Sequence, residues 1–329
     1  MDTTHFTIIT HNGLFHMDEV TSYAMLDYLF PYNTLIRTRD MSIITDDSIV
    51  IDVGEVYNPT LNKFDHHQKS FNETFYSKSI IPMSSTGLIY KHYGMQILKK
   101  FCSENHFNID KEQYKKAFNY FYDNFCSEID AFDNGIRQYS DNFYDALDSG
   151  IIIRKYYTSL SLGQLIAKQN YVDISDDKQQ LKAFKRASSL VWNMFVGVMT
   201  HYFSTLIKNI DDCKIFDNAM KERFSYDKSG FITVIKVECD SWKQCLREYE
   251  HKNPGEPKIN FIVYPNASHT WNIRTISDQQ FKTRKDLLSF EELKKLVSKP
   301  YEVIFVHTKL FVGGAETIET CVEMGKASL

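Results

Sequence analysis

The sequence has no C-x-x-C pair. Its six cysteines, Cys102, Cys126, Cys213, Cys239, Cys245 and Cys321, are scattered, which excludes a zinc ribbon or a thioredoxin-type motif. Such scattering predicts reduced thiols in an intracellular protein. No apolar run reaches membrane-spanning length on this reading, and there is no low-complexity tract or internal repeat. The opening residues MDTTHFTIIT enter a strand-like run at once, with an acid at position 2, unlike a secretory signal or an Arg-rich transit peptide. Positive charge is not in excess either: 38 Lys and Arg face 42 Asp and Glu, a net charge of −4. Proteins that coat long nucleic acids are usually basic. The balance therefore points to a small or single-stranded substrate gripped locally, with bound metal supplying the positive charge.

What is present is a chain of 329 residues, 43% hydrophobic and 14% aromatic. That is enough for two domains, each with its own core. Short apolar runs at 6–10, 35–39 and 49–52 read as strands, alternating with helical patterns at 20–30 and 84–101. Alternation of this kind predicts a doubly wound, mostly parallel sheet. Ser84 or Ser85 is placed to cap the second helix, and 111–131 reads as a third, with Gly135 as its terminator. The longest helical pattern runs from Asp176 to Asn209, with Leu181, Phe184, Val191, Phe195, Val198 and Tyr202 as its apolar stripe. A domain boundary is expected near 210, dividing the chain into 1–210 and 211–329. The second part reads as a smaller α+β domain, with strands at 231–238, 258–264, 271–276 and 303–307. A capping box, Ser289 to Glu292, opens a short helix, and Gly313-Gly314 leads into a last helix from about Ala315.

The chemistry concentrates in IVIDVGEVYNPTLNKFDHHQ, residues 49–68. Asp52 falls at the carboxyl end of a strand, where open α/β sheets bind ligands. Thirteen residues later comes Asp65-His66-His67. Upstream, His11-Asn-Gly-Leu-Phe-His16-Met-Asp18-Glu19 follows another strand, so four of the eleven histidines lie between 11 and 67. Imidazoles and carboxylates together suit Mn²⁺, Mg²⁺ or Zn²⁺. Any one of these residues alone is more often a turn residue or a satisfied core polar group. Together they point to a metal cluster, because parallel strands bring their carboxyl ends to one edge.

The phrases THNGLFHMDE, DVGEVYN, FDHHQ, MSSTGLIYKHYG and EIDAFDNGI, from residue 7 to about 136, and FVHTKLFVGGAET near the C-terminus, resemble the DHH phosphoesterase superfamily. Within it they resemble the melanocyte-proliferating-gene family of 3′–5′ RNA exonucleases. The resemblance implies a DHH-type catalytic domain over 1–210, ending in a long linking helix, and a substrate-clamping domain over 211–329. It implies two divalent ions, Mn²⁺ before Mg²⁺: one on His11, His16 and Asp52, the other on Asp18, Asp52, His66 and an acid from EIDAFDNG, with Asp52 bridging. For that acid Asp130 is preferred narrowly over Asp133. Asp65 would orient a histidine, and His67 would bind the substrate phosphate rather than metal. Glu19 divides evenly between an outer-shell role and an ordinary first-turn position. Gly313 and Gly314 would clamp substrate, with His307 and Arg274 in the same cleft, joined by Lys282, Arg284 and Lys285 along a phosphate path. Trp271 would stack a base or serve the core.

The implied partner is single-stranded RNA or an oligonucleotide, with no membrane and no stable protein partner. The implied product is a 5′-mononucleotide. The cytosol is the default compartment, and the resemblance leaves nucleus and mitochondrion open. Two departures stand out: Glu55 occupies a position where the family has a second glycine, and 284–296 lacks an expected Trp-containing stretch. Two other readings compete. A small-substrate phosphohydrolase, acting on pyrophosphate, polyphosphate or a nucleotide, would need a dense Lys/Arg pocket in the second domain, which the linear sequence does not display. A non-catalytic binding protein with a vestigial site fits poorly with a complete set of metal-ligand residues.

Overall fold

The computed structural model describes residues 5–153, 155, 160–279 and 282–329. The chain forms two compact units, Met1–Ser204 and Thr205–Leu329. In the first, β1 (Thr7–Thr10), β2 (Thr34–Arg37) and β3 (Ser48–Ile51) run parallel, followed by β4 (Tyr57–Asn58) and β5 (Lys63–Phe64). The sheet order is β2-β1-β3-β5-β4. β1 is parallel to β2 and β3, β3 is parallel to β5, and only β4 is antiparallel. β3 is buried throughout and β1 over its last three residues, as expected for short apolar strands covered on both faces. Parallel pairing puts the ends of β1, β3 and β5 on one edge. Residues 11–16, 52–55 and 65–67 leave the sheet there.

α1 (Met17–Leu29) starts three residues before the expected point. His16 is its N-cap, and the Glu19 carboxylate accepts from the His16 backbone N–H at 2.8 Å. Asp18 and Glu19 are thus locked into the first turn and buried. α2 (Ser85–Glu104) begins behind Ser84, whose hydroxyl accepts from Thr86 N. α3 (Lys111–Phe121) passes through a π-helical turn, Tyr122–Cys126, directly into α4 (Ser127–Asp133). α5 (Asp141–Asp148) and α6 (Leu162–Ala167) lead to α7 (Asp177–Tyr226), a helix of 50 residues.

The expected end of this helix near 209 is corrected. No glycine or proline occurs between Gly197 and Gly230, so nothing breaks the helix. Phe216, Ala219 and Met220 carry the buried stripe onward, and the division between the two units falls inside it. A second correction concerns run length. α7 contains a stretch long and apolar enough to cross a membrane by length and composition. In the first unit, however, Ala183, Phe184, Ala187, Val191, Phe195 and Met199 bury one face while Asn193, Met194 and Thr200 are exposed. That one-sided stripe is how a core helix is patterned.

The second unit holds β6 (Ile232–Val234), α8 (Trp242–Lys252), β7 (Phe261–Pro265), β8 (Trp271–Thr275), the small pair β9 (Ser277–Gln279) and β10 (Lys282–Thr283), α9 (Phe290–Leu296), β11 (Val303–Val306), β12 (Val312–Ala315) and α10 (Ile318–Ser328). Its main sheet, β11-β12-β8-β7-β6, is antiparallel except for the β6–β7 pair. The fold class is therefore α/β with a mostly parallel first sheet, followed by α+β. Two expectations fail here. Cys213 of α7 and Cys245 of α8 form a disulfide across 32 residues, a pairing that linear spacing does not reveal. The other four cysteines are free and buried. Gly313 and Gly314 lie within β12, not at a helix start, and α10 begins behind Thr317. A Cβ on Gly314 would meet the Phe305 ring at 2.5 Å, and one on Gly313 would meet Met324 Cε at 2.9 Å. Close packing against β11 and α10 thus accounts for both glycines.

Candidate metal centre

His11 leaves the end of β1 and is buried. Its Nδ1 lies 3.0 Å from Asn12 O, and its Nε2 lies 3.1 Å from Glu19 Oε1 and 3.2 Å from Asp52 Oδ2. The 11–16 loop is pinned from two sides. Asn170 pairs with both backbone groups of Phe15, and Arg37 donates to Gly13 O at 2.8 Å. The Arg37 guanidinium also stacks over Phe15 and Phe184.

Asp52 follows β3 with φ +55, and Gly54 and Glu55 follow at +95 and +53. A left-handed conformation at an aspartate costs on the order of 1–3 kcal/mol and persists only where its surroundings enforce it. Here Asp52 N donates to Phe64 O, and Glu55 N donates to Asp65 Oδ2. The curled backbone aims Asp52 between two histidines: Oδ2 toward His11, and Oδ1 3.2 Å from His66 Nε2. His66 Nε2 also lies 3.2 Å from Asp133 Oδ2. Three overlapping groups result: His11, His16, Glu19 and Asp52; Asp18, His66 and Asp133; and Asp52, His66 and His67. In each, the donor atoms lie within 4.8 Å of one another.

Four buried atoms at this centre lack a hydrogen-bond partner among the described residues: Asp18 Oδ1, Glu19 Oε2, Asp52 Oδ1 and His66 Nε2. His66 Nε2 and Asp52 Oδ1 are near each other but not aligned as donor and acceptor. Buried polar groups are ordinarily paired, and unpaired ones are costly. Converging unpaired oxygens and an imidazole nitrogen are a donor set for a cation, and with no thiolate among them the hard to borderline divalent ions fit. The buried His/Asp clusters could therefore hold metal.

The electrostatics agree. Burial, together with the neighbouring carboxylates, raises Asp18, Glu19 and Asp133 above the usual carboxylate range, Asp133 to about 8. Burial also disfavours charge on Asp52, but His11 and His66 outweigh it and hold that carboxyl below its usual range. Burial alone would lower the two histidines. Asp52 and Glu19 instead raise His11 to about 10, and Asp52 with Asp18 and Asp133 raises His66 to about 9.

Asp65 is an organiser. Its carboxylate accepts from the backbone N–H of Glu55, His66 and His67, and Oδ1 lies 2.7 Å from His67 Nδ1. The His67 side chain is 57% exposed. The same Nδ1 is 3.6 Å from Asp52 Oδ1, but the shorter Asp65 contact claims it. Among the described residues no hydrogen bond is made by Nε2. Glu19, which sequence reasoning left undecided, stands beside His11. The available signal was its place three residues after the His16 cap. His16 is exposed, its ring 5.6 Å from that of His11.

Of the two acids weighed, the structure brings Asp133 rather than the preferred Asp130 beside His66. Asp130 is fully buried and committed elsewhere. Oδ1 accepts from Ser84 N, Ser84 Oγ and Gly87 N, and Oδ2 accepts from Tyr122 OH. It closes the N-terminus of α2, and a side chain on Gly87 would collide with it. Burial raises Asp130 to about 6 against the pull of these donors. Asp130→Ala should cost about 3 kcal/mol of stability by stranding buried donors, whereas Asp133→Ala should lower metal stoichiometry with little change in melting. Thermal melts and metal content of the two variants, measured side by side, check this. The opposite pattern would return Asp130 to the metal.

The remaining candidates belong to the second unit. His307 follows β11, its Nδ1 accepting from Lys309 N and its ring 4.5 Å from Phe311. Arg274 on β8 lies over the same Phe311 ring. Trp271 packs against the second unit's core. Arg274 also lines a cavity of about 230 Å³ with Trp242, Lys243, Arg247, Glu250 and Arg284. Sequence reasoning missed this basic cluster because its members come from separate elements. Arg284 within it is held by Glu250 at 2.6 and 2.8 Å. Lys282 and Lys285 are exposed.

Comparison with known proteins places these observations in a family. Residues 7–329 match the family model MYG1_exonuc, described as "Uncharacterised protein family (UPF0160)". The chain is 31% identical over 338 residues to the MYG1 protein of Dictyostelium discoideum, covering 98% of this chain and 96% of that one. It is 30% identical over 335 residues to the MYG1 exonuclease of Homo sapiens, covering 97% and 85%. A MYG1 protein of Saccharomyces cerevisiae is 31% identical, covering 98% and 95%. With a full-length match and identities near 30% across nearly the whole of these relatives, the chain belongs to the MYG1 exonuclease family.

Proposed function

We propose that this protein is a divalent-metal-dependent 3′–5′ exonuclease acting on single-stranded RNA or short oligonucleotides and releasing 5′-mononucleotides. The observation that carries the reading is the set of unpaired buried atoms, Asp18 Oδ1, Glu19 Oε2, Asp52 Oδ1 and His66 Nε2, gathered where β1 and β3 end. Two ions, Mn²⁺ before Mg²⁺, would share Asp52: His11, His16 and Glu19 complete one set, and Asp18, His66 and Asp133 the other. When bound, such ions supply an activated water and neutralise charge on the phosphoryl oxygens. His67 does the remaining work at the phosphate. Asp65 fixes the ring through Nδ1 and raises its pKa, which favours the protonated ring, whose Nε2–H would serve a non-bridging oxygen as a charge-assisted donor. The name exonuclease borne by the human and mouse relatives supports the reaction class, and the likeness to the RNA exonucleases supports the polarity. Substrate contacts by Arg274 and His307, and the cytosol as compartment, remain part of the proposal.

The basic cavity around Arg247 and Arg274 favours one second reading, hydrolysis of a small phosphate compound, because it provides cations which that reading requires. A single experiment separates the two. The protein is incubated with Mn²⁺ and, in parallel, end-labelled RNA, DNA, dinucleotides and pyrophosphate. Stepwise shortening from the 3′ end supports the exonuclease, and turnover of pyrophosphate alone overturns it.

Metal affinity should depend steeply on pH. His11 and His66 are raised to about 10 and about 9 in the metal-free protein, so their protons add stability to that state at neutral pH and are lost only as pH rises through those values. A metal must displace them. Affinity for Mn²⁺ should therefore increase between pH 6 and pH 8, by about tenfold per unit for each proton released. Calorimetry in buffers of different ionisation enthalpy counts those protons, and a pH-independent affinity would contradict the ligand set.

A further inference from the structure

The centre opens into a cavity of about 430 Å³ lined by His11, His16, Arg39, Met41, Asp52, Val53, Gly54, Glu55, Asp65 and His67. Its charged groups divide into those already engaged and those that are not. Asp52 belongs to the metal set, and Asp65 is occupied by three backbone N–H groups and His67. Arg39 supplies the guanidinium of this lining. It is exposed, and among the described residues it makes no hydrogen bond, ion pair or ring contact. The nearest acid in sequence does not neutralise it: Asp40 turns back on Ser42, accepting from its N–H at 3.0 Å and its hydroxyl at 2.6 Å.

The backbone beside Arg39 is nevertheless well fixed. Thr38 N donates to Thr10 O, one residue before His11, and Arg37 is clamped on Gly13 and two phenylalanine rings. Of two arginines two residues apart, one is held against the His11 loop through Gly13 O and the Phe15 ring. The other is delivered to the rim of the same cavity with its guanidinium uncommitted. A planar fork of N–H donors matches phosphate oxygens in pairs, and an unpaired one beside a site that binds a phosphodiester is placed for an additional phosphate.

We propose that Arg39 holds the substrate phosphate adjacent to the one being cut, and so makes the protein prefer substrates with two neighbouring phosphates over an isolated phosphodiester. The proposal rests on the exonuclease reading above and adds the substrate feature that this site selects. Glu55, which lines the same cavity, has no partner for its carboxylate among the described residues. It opposes the same phosphate and sets the limit of that preference.

The test compares kcat/KM for pApA, which carries a 5′ phosphate, with that for ApA, which does not, using the full chain with Mn²⁺. In wild type the ratio should favour pApA. Arg39→Ala and Arg39→Gln should reduce the ratio by roughly ten- to a hundredfold, mainly through KM, while metal content stays at the wild-type value. Arg39→Lys keeps a point charge without the fork and should recover only part. Glu55→Gln should move the ratio the other way. A ratio that survives Arg39→Ala, or that falls in Glu55→Gln, overturns the assignment. Wild type that cuts both dinucleotides without preference overturns Arg39 alone. Wild type that shortens longer RNA but cuts neither dinucleotide overturns this inference alone, and wild type that cuts none of the three overturns the exonuclease reading as well.

Discussion

Asp52→Asn should abolish measurable two-ion occupancy and lower activity by at least about a thousandfold, while the protein still melts cooperatively. The amide keeps the size of the side chain but removes the charge that lies between His11 and His66 at 3.2 Å from each. A shared carboxylate is the one residue whose loss weakens both sites together. A thousandfold corresponds to about 4 kcal/mol of transition-state stabilisation, the scale of the several kcal/mol that bound metals supply. The strained φ of +55 belongs to the backbone, and asparagine tolerates the left-handed region at least as well as aspartate, so the fold should persist. Metal content by mass spectrometry and single-turnover cleavage of labelled RNA measure the two halves of this result. A variant that keeps two tightly bound ions and most of its activity would remove Asp52 from the centre of the scheme.

The second large effect divides the neighbouring histidines. His66→Ala removes the nitrogen that lies 3.2 Å from both Asp52 and Asp133, so it should raise the Mn²⁺ concentration needed for half-maximal activity and be rescued in part by added Mn²⁺. His67→Ala should leave metal binding nearly intact, because its Nδ1 is held by Asp65. It should still cost roughly 1.5–3 kcal/mol, the worth of a hydrogen bond to a charged oxygen, which is about ten- to a hundredfold in rate. Added Mn²⁺ should not restore it. Titration of each variant with Mn²⁺ at saturating oligonucleotide separates the two, and rescue of His67→Ala by metal would exchange their roles.

The strand ends were legible in the sequence because their physics is local. A short apolar run ending on Asp52, another ending before His11, and Phe64 before Asp65 each announce a buried strand and the residue that leaves it. Parallel order then brings them together. What was not legible depended on partners distant in the chain. Asp130 and Asp133 are three residues apart on one helix, and nothing nearby distinguishes them. The distinction comes from Ser84 and Gly87, 46 and 43 residues away, which claim Asp130 for the end of α2. The Cys213–Cys245 bond and the basic cavity around Arg274 likewise join elements that are separate in sequence. The length of α7 was underestimated for another reason: the polar pair Asp211-Asp212 resembles a terminus, yet without a glycine or proline the helix continues, with Asp211 exposed and Asp212 buried as an acceptor for Ser241 N.

The π-helical turn at Tyr122–Cys126 sets the phase of the helix that carries Asp130 and Asp133. Successive residues on an α-helix are rotated by about 100° around its axis. The wider turn inserts a phase offset between α3 and α4, so the face that α3 packs inward is not continued by simple counting into α4. Both ends of the offset are tied down, because Tyr122 within it bonds to Asp130 and Asp133 closes the segment beside His66. A single-residue deletion between 122 and 126 could leave an unbroken and locally more regular helix, yet it would turn both carboxylates away from their partners at once. In this chain the length of these five positions therefore matters more to the placement of Asp130 and Asp133 than the identity of the exposed side chains there.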